Sequence, residues 1–146
     1  MIQESAVLMV QRKINASAER LFDAWTKPEL MKKWFHVAAD WTTPVAESDL
    51  KIGGLWKIQM TQPDGVSYPS FGKYQVIDRP NKLVFTWHPL AKEDYETIVT
   101  VIFKRMSDNV TEITLTNEGL RSDEEIGYYK PGWMGSLDCL NDLMTA

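Results

Sequence analysis

Pro131-Gly132-Trp133-Met134-Gly135-Ser136-Leu137-Asp138-Cys139-Leu140-Asn141-Asp142-Leu143-Met144 places Trp133, Leu137, Leu140 and Met144 at i, i+4, i+7 and i+11. That spacing draws one apolar stripe along a helix. Ahead of it Ser122 and Glu125 form a capping box, and Pro131 suits a helix first turn. A helix with such a stripe needs an apolar surface to bury it against, and the rest of the chain supplies a sheet.

From Pro44 to Glu118 the pattern is strand after strand. Trp56, Ile58 and Met60 alternate with polar residues, as do Leu83, Phe85 and Trp87; Val99, Val101 and Phe103; and Thr111, Ile113 and Leu115. Gly53-Gly54, Pro63-Asp64-Gly65 and Asp78-Arg79-Pro80-Asn81 are turn sequences between them. Ala6 to Ile14 reads as a further half-buried strand. Ser17 then caps a short helix carrying Leu21, Phe22 and Trp25, and Thr26 with Glu29 and Pro28 predicts a second helix over about Lys27 to Phe35. The order of strand, two short helices, six-stranded meander and final helix leaves one economical arrangement. It is an α+β domain over residues 1–146, a curved antiparallel sheet of about seven strands wrapped around the last helix.

The chain has 146 residues, 44% of them apolar, enough for one substantial core and too few for two. Sixteen basic against twenty acidic side chains give a net charge of −4, so no basic surplus exists to meet nucleic acid or an anionic membrane. No apolar run is long enough to span a bilayer, and no export signal is visible. The single cysteine, Cys139, excludes an intrachain disulfide and fits the cytoplasm.

Phe22-Asp23-Ala24-Trp25-Thr26-Lys27-Pro28-Glu29, Trp34-Phe35, Asp49-Leu50-Lys51-Ile52-Gly53-Gly54-Leu55-Trp56, Pro63-Asp64-Gly65, Gly72-Lys73-Tyr74, Lys82-Leu83-Val84-Phe85-Thr86 and Gly132-Trp133 together resemble the helix-grip, START-like superfamily. Within it they resemble the family named for activators of a heat-shock chaperone's ATPase. The resemblance covers nearly the whole chain and implies the helix-grip fold. The superfamily it points to includes lipid carriers, hormone receptors, cyclases and chaperone activators, and a shared fold does not choose among them. The sequence departs from the family at Pro131, where members continue a helix, which predicts a kink or break. Eukaryotic chaperone activators also carry a separate N-terminal domain that this chain lacks.

An inward aromatic face suits a cavity that grips an apolar guest. The candidate contacts are Trp34, Trp56, Met60, Phe85, Trp87, Trp133 and Leu137, with Arg12, His36 and Asp49 as candidate polar anchors. Arg12 and Asp49 fall by strand parity on or near an apolar face, where a charge must be paired. Gly132 and Gly135 weaken the last helix, which implies close approach to the sheet or a mobile entrance. Trp25, Cys139, Thr97 and Asn117 read as structural. Neither His36 nor His88 has a metal-binding neighbour at the right spacing, no cofactor fingerprint occurs, and no catalytic residue is assigned. The expected function is binding of a small apolar or aromatic molecule. A protein-interaction or chaperone-activator-like module is the alternative, and a cofactor-free cyclase or hydrolase using His36 or Asp49 comes third. A homodimer is left open.

Overall fold

The computed structural model describes residues 7–146. Strand β1 (Val7–Ile14) is followed by helices α1 (Ala18–Thr26) and α2 (Pro28–Trp34). Six strands come next: β2 (Thr42–Ser48), β3 (Leu55–Thr61), β4 (Ser67–Asp78), β5 (Lys82–Trp87), β6 (Thr97–Ser107) and β7 (Val110–Glu118). The long helix α3 (Asp123–Thr145) closes the chain. The strands form one antiparallel sheet in the order β1-β7-β6-β5-β4-β3-β2. This is the helix-grip arrangement expected from the sequence.

Alternation in the strands became burial. Leu8, Val10 and Ile14 of β1 join Ile113 and Leu115 of β7 and Val99, Val101 and Phe103 of β6 in one core, which α3 covers with Leu137, Leu140 and Met144. The turn sequences also fall where expected, with Gly53 and Gly65 at φ +81° and +93°, a region open to glycine at little cost. Ala6, read as the start of β1, lies outside the described residues.

Three local readings are corrected. Thr26 does not cap α2: it ends α1, and its hydroxyl donates to the carbonyl of Phe22 at 3.0 Å. Pro28 holds Lys27 extended, so Lys27 becomes the N-cap without a side-chain bond. At α3 the box is half formed. Ser122 Oγ accepts from the Glu125 N–H at 3.1 Å, whereas the Glu125 carboxylate reaches past Ser122 to the Arg121 N–H at 3.0 Å. Third, α3 runs uninterrupted through Pro131. The proline takes the hydrogen from the bond that Gly127 would accept, but both residues lie on the exposed side, where water can replace it.

Candidate functional site

The sheet and α3 are packed together at the end of β1 and β7, but they part at the other end. Between the first half of α3 and strands β3 and β4 lies an open cavity of about 490 Å³. Its walls come from five places: Phe35, Val37 and Trp41 after α2; Trp56, Ile58 and Met60 on β3; Tyr68, Pro69 and Ser70 on β4; Trp87, Leu90 and Ala91 at the end of β5; and Tyr129, Gly132, Trp133 and Ser136 on α3. Gln62 and Tyr128 stand at the rim.

Small residues make the room. In the register of β2, β3 and β4, Ile58 is flanked by Ala46 on one side and Ser70 on the other, and Trp56 is opposite Gly72. Gly72 is obligatory: a Cβ there would sit 1.8 Å from the Thr86 carbonyl oxygen and 2.7 Å from Trp56 Nε1. Trp56 crosses the bare glycine to donate to Thr86 O at 3.0 Å, which pins the indole as part of the wall. On the helix side, a Cβ on Gly135 would lie 2.0 Å from the carbonyl oxygen of Val37. The close approach read from the helix glycines therefore exists, but against the segment after α2 rather than against the sheet.

Most of the aromatic lining is one connected set of rings, joined through Phe35 and Trp133 at 6.5 Å, while Trp41 and Tyr68 stack as a separate pair at 5.7 Å. Phe35 stacks on Trp34 (4.6 Å, 4°) and lies parallel to Trp56 at 6.1 Å. Trp87 meets Trp133 and Tyr129 edge-on at 5.5 and 5.1 Å. Such pairs add to burial energy and hold ring orientations.

Four of the residues singled out from sequence, Trp56, Met60, Trp87 and Trp133, line the cavity together. Trp34, Phe85 and Leu137 stand behind it in the core, Trp34 with no exposed surface and its Nε1 donating to Ala24 O at 2.8 Å. None of the three polar candidates lines it. Arg12 has the inward parity expected, but its guanidinium reaches the flank of α3 and pairs with Asp138 at 3.2 Å, both well exposed. Asp49 lies in solvent beside Lys51 at 3.5 Å. His36 is buried next to the cavity wall. The Thr43 hydroxyl gives its one hydrogen to Phe35 O (2.7 Å), so it must accept from His36 Nδ1 (2.9 Å), which fixes the neutral tautomer with the proton on Nδ1. Burial lowers the His36 pKa and keeps that form.

Sequence reasoning missed Phe35, Trp41, Tyr68, Tyr129, Ser70 and Ser136. Two of these carried a legible signal: Ser70 shares the inward parity of Tyr68 and Gly72, and Ser136 lies one turn beyond Trp133. Structural readings were met elsewhere. Trp25 and Cys139 are buried core residues, and Asn117 donates to Thr97 Oγ1 at 3.0 Å, although its Oδ1 is left without a partner. Among the described residues no set of three or more His, Cys, Asp or Glu is placed to hold a metal, and no helix is long and apolar enough to cross a membrane.

At the first turn of α3 the Tyr95 hydroxyl donates to the Glu125 carboxylate, and both receive the Arg121 N–H, at 3.1 and 3.0 Å. The Arg121 guanidinium lies 3.8 Å over the Tyr95 ring. Burial and the bond to Glu125 push the Tyr95 pKa up to about 12, and the same bond holds the Glu125 carboxyl below its usual range. This knot ties the loop after β5, which carries cavity residues Leu90 and Ala91, to the start of α3.

Comparison with solved structures gives the same architecture. A protein of Nitrosomonas europaea superposes with a TM-score of 0.80 at 22% identity, covering 99% of this chain and 97% of that one. An AHSA1 protein of Silicibacter pomeroyi gives 0.81 at 22%, covering 96% and 98%, and an AHSA1-like protein of Aeromonas hydrophila gives 0.74 at 22%, covering 92% and 90%. At these identities the likeness is one of fold. None of the curated proteins matches the chain. The family described as "Activator of Hsp90 ATPase homolog 1-like protein" matches residues 15–145, which take in six of the seven strands and all three helices, and the chain belongs to that family.

Proposed function

We propose that residues 1–146 act as one domain, in the cytoplasm, that holds a small apolar or aromatic molecule between the sheet and α3. The observation that carries this reading is the unfilled cavity of about 490 Å³ with mostly apolar walls, within the range of about 300–1,000 Å³ usual for small-molecule sites. Its walls are held from behind: Trp56 by Thr86 O, and Phe35 by the stacked Trp34. A pre-formed pocket spends little free energy on ordering when it binds. No carboxylate, imidazole or amine stands among the lining side chains to move a proton, which favours binding over catalysis.

The test is a thermal-shift screen against a library of apolar compounds, with native mass spectrometry of the protein as purified. Some compounds should raise the melting temperature of the wild type and lose that effect in Ser70→Phe, which fills the sheet wall. A library that stabilises neither protein, or stabilises both equally, would remove the reading.

A second reading, docking of a protein partner, is supported by the exposed Leu50, Ile52 and Leu55 around the β2–β3 turn. Leu50→Ser/Leu55→Ser should then abolish retention of a stoichiometric partner from native lysate; equal retention by wild type and variant would count against it.

A further inference from the structure

The cavity has a chemical bias beyond being apolar. None of its lining residues is Asp, Glu, Lys, Arg or His. The three charged or titratable side chains already described around it are engaged elsewhere: Arg12 pairs with Asp138 outside, Glu125 is bound by Tyr95 and the Arg121 N–H, and His36 bonds to Thr43. A carboxylate or ammonium entering this space would leave water and meet no opposite charge, a heavy cost.

Two hydroxyls point the other way. Ser70, on the sheet wall, is 8% exposed, and Ser136, on the helix wall, 2%. Neither makes a hydrogen bond to any described residue, although a helical serine commonly returns its hydroxyl to the carbonyl four residues back. Neither is sealed inside the protein, as the partnerless Trp25 Nε1 and Asn117 Oδ1 are; both serines line the cavity. A hydroxyl that faces this space with no protein partner is free to bond a guest, and such a bond adds to binding. Between these two points the walls are the rings of Phe35, Trp56, Trp87, Trp133 and Tyr129, surfaces that favour another ring system through offset or edge contacts.

We infer that the guest is an uncharged, flat aromatic molecule bearing a hydroxyl or carbonyl group, with Ser70 and Ser136 as the residues that select it and reject anionic analogues. This rests on the cavity being a binding site, and the experiment separates the two. Phenanthrene, 9-phenanthrol, phenanthrene-9-carboxylate and dodecanoate are titrated at neutral pH, by calorimetry, into the full chain and into Ser70→Ala/Ser136→Ala. The double substitution removes two oxygen atoms and is checked for unchanged unfolding in urea.

The phenol should bind about tenfold more tightly than the hydrocarbon and more tightly still than either carboxylate. In the double variant that advantage should vanish while affinity for phenanthrene stays the same. A carboxylate that binds as tightly as the phenol overturns the selection rule and leaves the binding site standing. So does a phenol advantage that survives in the double variant. Failure of all four compounds to bind overturns the rule together with the reading of the cavity as a site.

Discussion

Alanine placed at three glycines of α3 should give opposite results for reasons that the geometry states in advance. At Gly135 the new Cβ would lie 2.0 Å from Val37 O and 3.0 Å from the carbonyl carbon, and both atoms are backbone. Contact at an ordinary separation of 3.4 Å requires the helix and the segment after α2 to part by about 1.4 Å. Because backbone atoms cannot rotate aside, the overpacking falls in the upper part of the usual range, about 2–3 kcal/mol, against about 1 kcal/mol returned by the better helix preference of alanine. The net expectation is a loss of about 1–2 kcal/mol, a fall of roughly 3–6 °C in melting temperature for a chain of this size. At Gly127 a Cβ meets nothing within 4 Å, so Gly127→Ala should gain about 1 kcal/mol. Gly132 is intermediate, its Cβ an ordinary 3.5 Å from Val37 Cγ1. Gly132→Ala should therefore stabilise the free protein while crowding the cavity. Urea unfolding followed by circular dichroism gives all three differences. Should Gly135→Ala match or exceed the wild type, the close seating of α3 on Val37 is wrong, and with it the positions of Phe35 and Val37 in the cavity wall.

Gly72→Ala should cost about 3 kcal/mol, because the added methyl displaces both the Thr86 carbonyl and the Trp56 indole bonded to it; a loss below about 1 kcal/mol in urea would show that Trp56 is not pinned there. The lowered pKa of His36 means that the unfolded chain takes up the proton first. Its contribution to stability is therefore complete above the ordinary value of 6.5 and lost as pH falls below it. His36→Asn, which keeps a donor for Thr43, should flatten the decline of melting temperature between neutral and mildly acidic pH, and an unchanged slope would refute the assignment. Tyr95→Phe should cost about 1 kcal/mol and let the Glu125 pKa rise toward its normal range, since the Tyr95 hydroxyl is the largest influence lowering it; a carboxylate NMR titration reads that directly.

The fold was legible because burial in this chain follows period: the alternating positions of β3, β5, β6 and β7 turned inward, and the stripe on α3 found them. What misled was local chemistry decided by a neighbour. Thr26 has the side chain of a cap, but Pro28 sets the conformation of Lys27 and takes the role away. Pro131 would break many helices, yet its lost bond faces water. The cavity was legible only in part, because alternation says which side of a sheet a residue faces and not whether anything fills the space in front of it. Trp56 and Trp34 look alike in sequence. One lines the cavity and the other lies behind it, since Phe35, one residue further on, takes the inner position. The polar candidates failed similarly: Arg12 has inward parity, but its length carries the charge out to Asp138.

The two ends of α3 answer to different demands. Leu137, Leu140 and Met144 join the packed core with β1, β6 and β7, while Gly132, Trp133 and Ser136 face space floored by residues as small as Ser70. Phe35, Trp56, Ile58 and Trp133 serve both the core and the cavity, whereas Trp41, Tyr68, Leu90 and Ala91 border the cavity without belonging to the core. Relatives can exchange the latter side chains around the hollow, and so alter what fits it, without passing through a chain that no longer folds. Twenty-two per cent identity with conserved architecture is the kind of divergence such a division permits.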